Sequence, residues 1–321
     1  MQSSGGERAA LLSTETIGSL KLDDFVLATS MVYRHHDEKR SVWDVWLHAC
    51  HHASSLSRSI QRRDGSAPAE IAYLSMWLFT FVHRIGGTIG TPLPGDRSEE
   101  ETIIRTTSPY AAVLWRNFPG LCPDCYWRRS GGGDRALERI DSLARPCDCG
   151  SRNPTDQGSM VPCAAAVRDF ADRPISNRPS SMDEWQAMFA AILSASPTST
   201  KITSLLEQFG QAGDAMVRLY TYSGRHPATR EEVARRYIRF ERELSEVTAL
   251  IFSLAQADIF GPRDSESPPT LSRLVWQQYG SEERGAFVCS HCESCPCGCD
   301  IRFVPSEVSA GSIRQAAEPD N

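Results

Sequence analysis

The stretch CSHCESCPCGCD, residues 289–300, sets five cysteines and a histidine within twelve positions. Such spacing suits metal ligation: a CxxC turn supplies two thiolates from one tight loop, and a second close pair completes a tetrahedron around zinc. Cys289 and Cys292 with Cys297 and Cys299 make one such set, with Cys295 spare and His291 able to stand in for one thiolate. A thinner version, CPDC followed by CDC, offers Cys122, Cys125, Cys147 and Cys149 across a longer loop. Disulfide or redox chemistry is the alternative for each set. A shell of four thiolates leaves no open position for catalysis, so the expected role is structural, with one zinc per set. Cys50 and Cys163 stand alone and read as small apolar residues.

The elements that must position these thiols belong to a chain of 321 residues, enough for two domains. Hydrophobic residues make up 40% and charged residues 23%, and the net charge is −6, a balance that disfavours a broad nucleic-acid surface. The first twenty residues lack a basic stretch followed by a long apolar run, so the expected compartment is the cytoplasm, where dense cysteines more often bind metal than form disulfides. IAYLSMWLFTFV (71–82) is too short to span a bilayer and predicts a buried helix. Tyr237, Phe240, Leu244, Val247, Ile251 and Leu254 recur in steps of three and four, the period of one helix face. Strand-like alternation is scarce, and the predicted fold class is all-α.

Landmarks recur in the same order in two halves. LDDFVLATSMVY (22–33) matches MDEWQAMFAAIL (182–193), and WLHACHHASSLSRSI (46–60) takes the place of TSLLEQFGQAGDAMVRL (203–219). EIAYLSMWLFTFV (70–82) matches ELSEVTALIFSLA (243–255), and VLWRNFPG (113–120) matches LVWQQYGS (274–281). Each half then closes on CxxC and PCxC. The expected organisation is two helical bundles in tandem at 18–150 and 181–303, a Pro/Ser/Gly-rich linker at 151–180, and flexible tails at 1–17 and 304–321. Ser181 with Glu184, and Thr229 with Glu232, read as capping boxes. The run His35, His36, Asp37, Glu38, Lys39, Arg40 reads as a solvated helix face. Tyr126 to Arg129 reads as a solvated loop edge beside the first cysteine set.

A helix shaped RSxWxxWLH, a second opening on ExxY or ExxE, and a segment leading into CPxC and CxC together resemble the MazG-like branch of the all-α nucleotide pyrophosphohydrolases. The resemblance implies hydrolysis of a nucleoside triphosphate with Mg²⁺ held by the carboxylates of EExxE and ExxD motifs. Magnesium takes oxygen ligands, and its charge offsets that on the phosphates. Carried over, EExxE falls on His51, His52 and Ser55 in the first half and ExxD on Glu70 and Tyr73, leaving only Glu70 as an acid. In the second half it falls on Glu207, Gln208 and Gln211, with ExxD on Glu243 and Glu246. The expected residual catalytic set is therefore Glu207, Glu243 and Glu246. The alternative is a catalytically inactive module that senses nucleotides or binds a protein partner. Family members build their bundle from paired subunits, which implies an intramolecular pseudo-dimer here.

Overall fold

The computed structural model describes residues 12–89, 110–118, 178–193, 196–220, 230–256 and 270–299. The set Cys122, Cys125, Cys147 and Cys149 lies outside the described residues, as do Cys163, Tyr126 to Arg129, Thr229, most of the linker and the C-terminal tail.

Among the described residues the chain forms nine α-helices and one two-residue β-ribbon, so the all-α expectation holds. They are α1 (Leu22–Val32), α2 (Arg34–Asp37), α3 (Val42–Arg62), α4 (Ala67–Ile89), α5 (Tyr110–Asn117), α6 (Met182–Ile192), α7 (Thr198–Tyr220), α8 (Arg230–Leu254) and α9 (Leu271–Tyr279). A 3₁₀ turn (Ile17–Ser19) precedes α1, and strands β1 (Gly280–Ser281) and β2 (Ala286–Phe287) pair antiparallel after α9.

Local chemistry accounts for the starts. Ser181 and Glu184 bond reciprocally at the head of α6, as their spacing predicts, and Ser41 with Asp44 does the same for α3. The stripe on α8 faces inward: Phe240, Leu244, Val247, Ile251 and Leu254 are fully buried. Between Ile71 and Val82 helix α4 is buried on nearly every side, and Ile71, Leu74, Phe79 and Phe81 are all inaccessible. No described helix is long and apolar enough to cross a membrane.

The helices pack in a crossed arrangement. Helix α3 lies along α4, and α7 along α8; α1 rests on α4, and α6 on α8. Helix α9 then packs on α4, while α5 packs on α8. Side chains repeat the pattern. Asp23 on α1 accepts from the Ala111 N–H at the head of α5 (3.2 Å), and Asp183 on α6 accepts from Ser272 at the head of α9 (2.7 Å). Phe79 and Phe252 meet edge-on at the centre, with ring centroids 6.4 Å apart. One continuous core results, drawing on helices from both ends of the chain.

Two expectations change. Residues 12–17 are tethered rather than tail-like: the Leu12 N–H donates to the Gly285 carbonyl (2.9 Å) and Thr14 donates twice to Glu282. Ile17 is fully buried beyond them. The run at 35–40 is only partly a solvated face: His35, Glu38 and Lys39 are exposed as expected, but the single turn of α2 buries His36 and Asp37. Asp37 accepts from Arg40 at 3.3 Å, but its Oδ2 meets no donor. Burial pushes this carboxyl up to about 6, against the pull of Arg40 and Arg84.

The sign of the consequence follows from linkage. An acid whose folded pKa lies above its unfolded value destabilises the fold when ionised, and that cost fades as pH falls from 6 towards 4. Asp37→Asn is therefore expected to raise stability at pH 7.5 by about 1 to 2 kcal/mol, with the gain vanishing near pH 4. Urea titrations of both proteins across that range check it.

Candidate metal centre

Helix α9 ends at Gly280, where any Cβ would strike the Trp276 ring, so the chain can turn tightly into the β-ribbon. Phe287 on β2 packs against both Phe25 and Trp276, at 5.2 and 5.3 Å between centroids. That packing anchors the residues that follow. Past it, Glu293 takes a left-handed φ of 53°, and the backbone folds back so that Glu293 N–H donates to the Cys289 carbonyl (2.9 Å).

The four sulfurs of Cys289, Cys292, Cys297 and Cys299 gather within 4.8 Å of one another. Cys289 and Cys299 sulfurs are 3.9 Å apart, and those of Cys292 and Cys297 are 3.7 Å apart. A tetrahedron with zinc–sulfur bonds of about 2.3 Å sets its sulfurs about 3.8 Å from one another. A disulfide needs about 2.05 Å, so these distances fit a shared ion and not a bridged pair. Among the described residues this is the group of His, Cys, Asp or Glu side chains close enough to share one ion. Cys295 and His291 are exposed and stand outside it.

The surroundings favour thiolates. Backbone N–H groups of His291, Gly298 and Cys299 point at the sulfurs of Cys289, Cys292 and Cys297 at 3.3 to 3.4 Å. The Gly298 N–H draws the Cys292 thiol down to about 6. Burial pushes Cys297 upward, so without a cation the four sulfurs cannot all ionise together. Tyr33 lies beside Cys289, and burial raises the pKa of its phenol, keeping it protonated.

Tyr33 follows α1, at the opposite end of the sequence from this cysteine loop. The Cys297 N–H donates to the Val32 carbonyl at 2.7 Å, so the loop is clasped to the C-terminal end of α1. Rings continue inward from the clasp: Tyr33 meets Tyr279, and Tyr279 meets Tyr73, each edge-on near 6 Å. Tyr73 in turn lies beside His52, which bonds Glu70 at 2.9 Å. Thus Glu70, the surviving acid of the first half, is occupied by an imidazole that stands where a carboxylate was expected.

In the second half, Glu207 is exposed and accepts from Gln211 at 3.0 Å. Glu243 is buried beside α7, and burial raises its pKa, with Glu207 adding to the rise. Arg239 lies 3.6 Å from Glu243, and Arg242 bonds Glu246 at 3.0 Å. The two pairs sit at the i,i+4 spacing along α8, a signal present in the sequence. Gln208 is buried, and its Oε1 meets no donor. Glu207, Glu243 and Glu246 do not gather into a metal-holding group of the kind formed by the thiols. Comparison of the chain with known protein families, with curated proteins and with solved structures finds no match.

Proposed function

We propose that this chain is a tandem, degenerate MazG-like protein, folded as an intramolecular pseudo-dimer with structural zinc in its cysteine knuckles, that binds a nucleotide or related phosphate ligand with little or no turnover. The crossed helix packing supports the tandem reading. If α1, α3, α4 and α5 are exchanged for α6, α7, α8 and α9, each principal helix pairing maps onto another, and Asp23 maps onto Asp183. A pair of subunits trading their last helices would look the same. Zinc in the set Cys122, Cys125, Cys147 and Cys149 belongs to this proposal on sequence grounds alone.

The observation that carries the functional reading is the pairing of Glu243 with Arg239 and of Glu246 with Arg242. A Mg²⁺ cage needs net negative charge from its ligands. Here two of the three acids are already offset by cations one turn away, and Gln208 and Gln211 bring none.

A second reading, residual Mg²⁺-dependent pyrophosphohydrolysis in the second half, draws on the orphaned Gln208 Oε1 and the mutual strain of Glu207 and Glu243. A divalent cation would relieve both. The two readings part on one assay: purified protein with a panel of nucleoside triphosphates, Mg²⁺ or Mn²⁺, and detection of pyrophosphate. We expect calorimetric binding of a triphosphate and no release above the level of a Glu243→Ala variant. Release that falls at least 100-fold in Glu243→Ala would establish the enzyme.

A further inference from the structure

The loop from Cys289 to Cys299 holds five thiols, and a tetrahedral ion takes four. The fifth, Cys295, is exposed and free, and stands outside the four-sulfur group. Its place in the sequence ties it to one ligand in particular. Cys292, Glu293, Ser294 and Cys295 repeat the CxxC spacing of Cys289 to Cys292, so Cys292 belongs to two such pairs at once. CxxC is the spacing at which two thiols on one turn close a disulfide and reopen it.

The turn between Cys292 and Cys295 is fixed by its own bonds. The Cys289 N–H donates to the Ser294 carbonyl (2.9 Å), and the Ser294 hydroxyl donates to the Cys292 carbonyl (3.1 Å). Glu293 turns the chain between them with its left-handed φ. Access then divides the four ligands. Cys289 and Cys297 are buried, whereas Cys292 and Cys299 are partly exposed. An oxidant arriving from solvent meets Cys292 or Cys299 first, and of these two Cys292 shares the CxxC spacing with the free thiol. The Cys297 sulfur lies 3.7 Å from that of Cys292, but in the loaded site its lone pair is engaged by the ion, and the Cys297 N–H is held by the Val32 carbonyl. Cys295 is the thiol in this loop with no ligand duty.

We infer that Cys292 and Cys295 form a peroxide-sensitive release for the ion, with Cys292 as the sulfur oxidised and Cys295 as the thiol that resolves it. The inference rests on the zinc reading proposed above. Hydrogen peroxide takes two electrons from the Cys292 thiolate: the O–O bond breaks, one oxygen joins the sulfur as a sulfenic acid, and the other leaves as hydroxide. The Cys295 thiol then attacks that sulfur. The S–S bond forms, the S–O bond breaks, and the oxygen departs as water with the Cys295 proton. Two sulfurs are oxidised to one disulfide while one peroxide is reduced to water and hydroxide. The bridge leaves three thiolates for the ion, a shell too poor to keep it, and the clasp between Cys297 and Val32 loosens. A thiol reductant reverses the bridge.

Peptide mapping and zinc release, on the full zinc-loaded chain treated with hydrogen peroxide, test the inference. The parent is expected to yield a Cys292–Cys295 disulfide with loss of about one zinc per chain, and to regain its melting temperature with a thiol reductant and added zinc. Cys295→Ser is expected to melt as the parent does before oxidation, and to lose that zinc about tenfold more slowly under peroxide. Zinc held elsewhere in the chain is common to both proteins, so the difference between them reads this loop. A parent bridge that omits Cys295, such as Cys292–Cys297, would overturn the inference. Equal rates of zinc loss from the two proteins, or no loss from the parent, would do the same. A parent that takes up no zinc before oxidation removes the zinc reading and this inference together.

Discussion

Removing metal from the protein with a high-affinity zinc chelator at neutral pH is expected to lower its melting temperature by about 10 °C or more. Structural zinc in a four-thiolate shell contributes its binding free energy to folding, because the unfolded chain offers no preformed site. The gain here extends beyond the loop. The cysteine segment holds the Val32 carbonyl through Cys297, carries Phe287 onto Phe25, and sets Cys289 against Tyr33. Releasing the ion frees a clasp between α1 and the segment after α9, elements separated by most of the sequence. A loss of about 3 to 5 kcal/mol is the order expected for such a staple, and for a chain of this size each kcal/mol shifts the midpoint by about 2 to 4 °C. Cys297→Ser should reproduce most of the effect, and Cys295→Ser should not, since Cys295 lies outside the four-sulfur group. Calorimetric scans with and without chelator, followed by zinc re-addition, measure it. An unchanged midpoint would show that these sulfurs hold nothing that matters to the fold.

Phe79→Ala and Phe252→Ala should each cost about 3 to 5 kcal/mol. Both rings are fully buried and meet at the crossing of α4 and α8, with Phe25 against one and Phe189 against the other at 5.6 Å. Truncating either leaves a void lined by helices whose register is set elsewhere by the Asp23 and Asp183 bonds, so little collapse can fill it. The near-equal size of the two losses is the informative part, because under the proposed tandem reading the two rings are counterparts. The double variant should fall short of the sum by about 0.5 to 1.5 kcal/mol, the coupling of an aromatic pair in contact. Leu27→Ala, at a position 50% exposed, should change stability by less than about 0.5 kcal/mol. Urea denaturation of the set reads all four values.

What could be foreseen divides by the range of the physics involved. The α8 stripe, the Ser181 cap and the burial of α4 between Ile71 and Val82 are local properties of spacing and side-chain type, and they fold as read. The gathering of Cys289, Cys292, Cys297 and Cys299 was legible because a two-residue and a one-residue spacer leave the loop few other shapes. The burial of His36 and Asp37 was not, because a six-residue polar run carries no record of what packs over it. Nor could periodicity show that α5 and α9 pack on the long helix of the opposite half, since that choice depends on chain connections and shape. The arginine partners of Glu243 and Glu246 were readable at the i,i+4 spacing. The imidazole on Glu70 required knowing that α3 and α4 bring His52 and Glu70 face to face. The orphaned Gln208 oxygen emerges only from packing.

X-ray absorption at the zinc edge tests the central claim most directly, that thiolates share one ion where the end of the chain is clasped to α1. The account predicts a first shell of four sulfurs at about 2.3 Å in the zinc-loaded protein, lost in a Cys292→Ser, Cys297→Ser double variant to the extent that this site contributes. A shell dominated by nitrogen or oxygen, or zinc bound equally by that double variant, would contradict it.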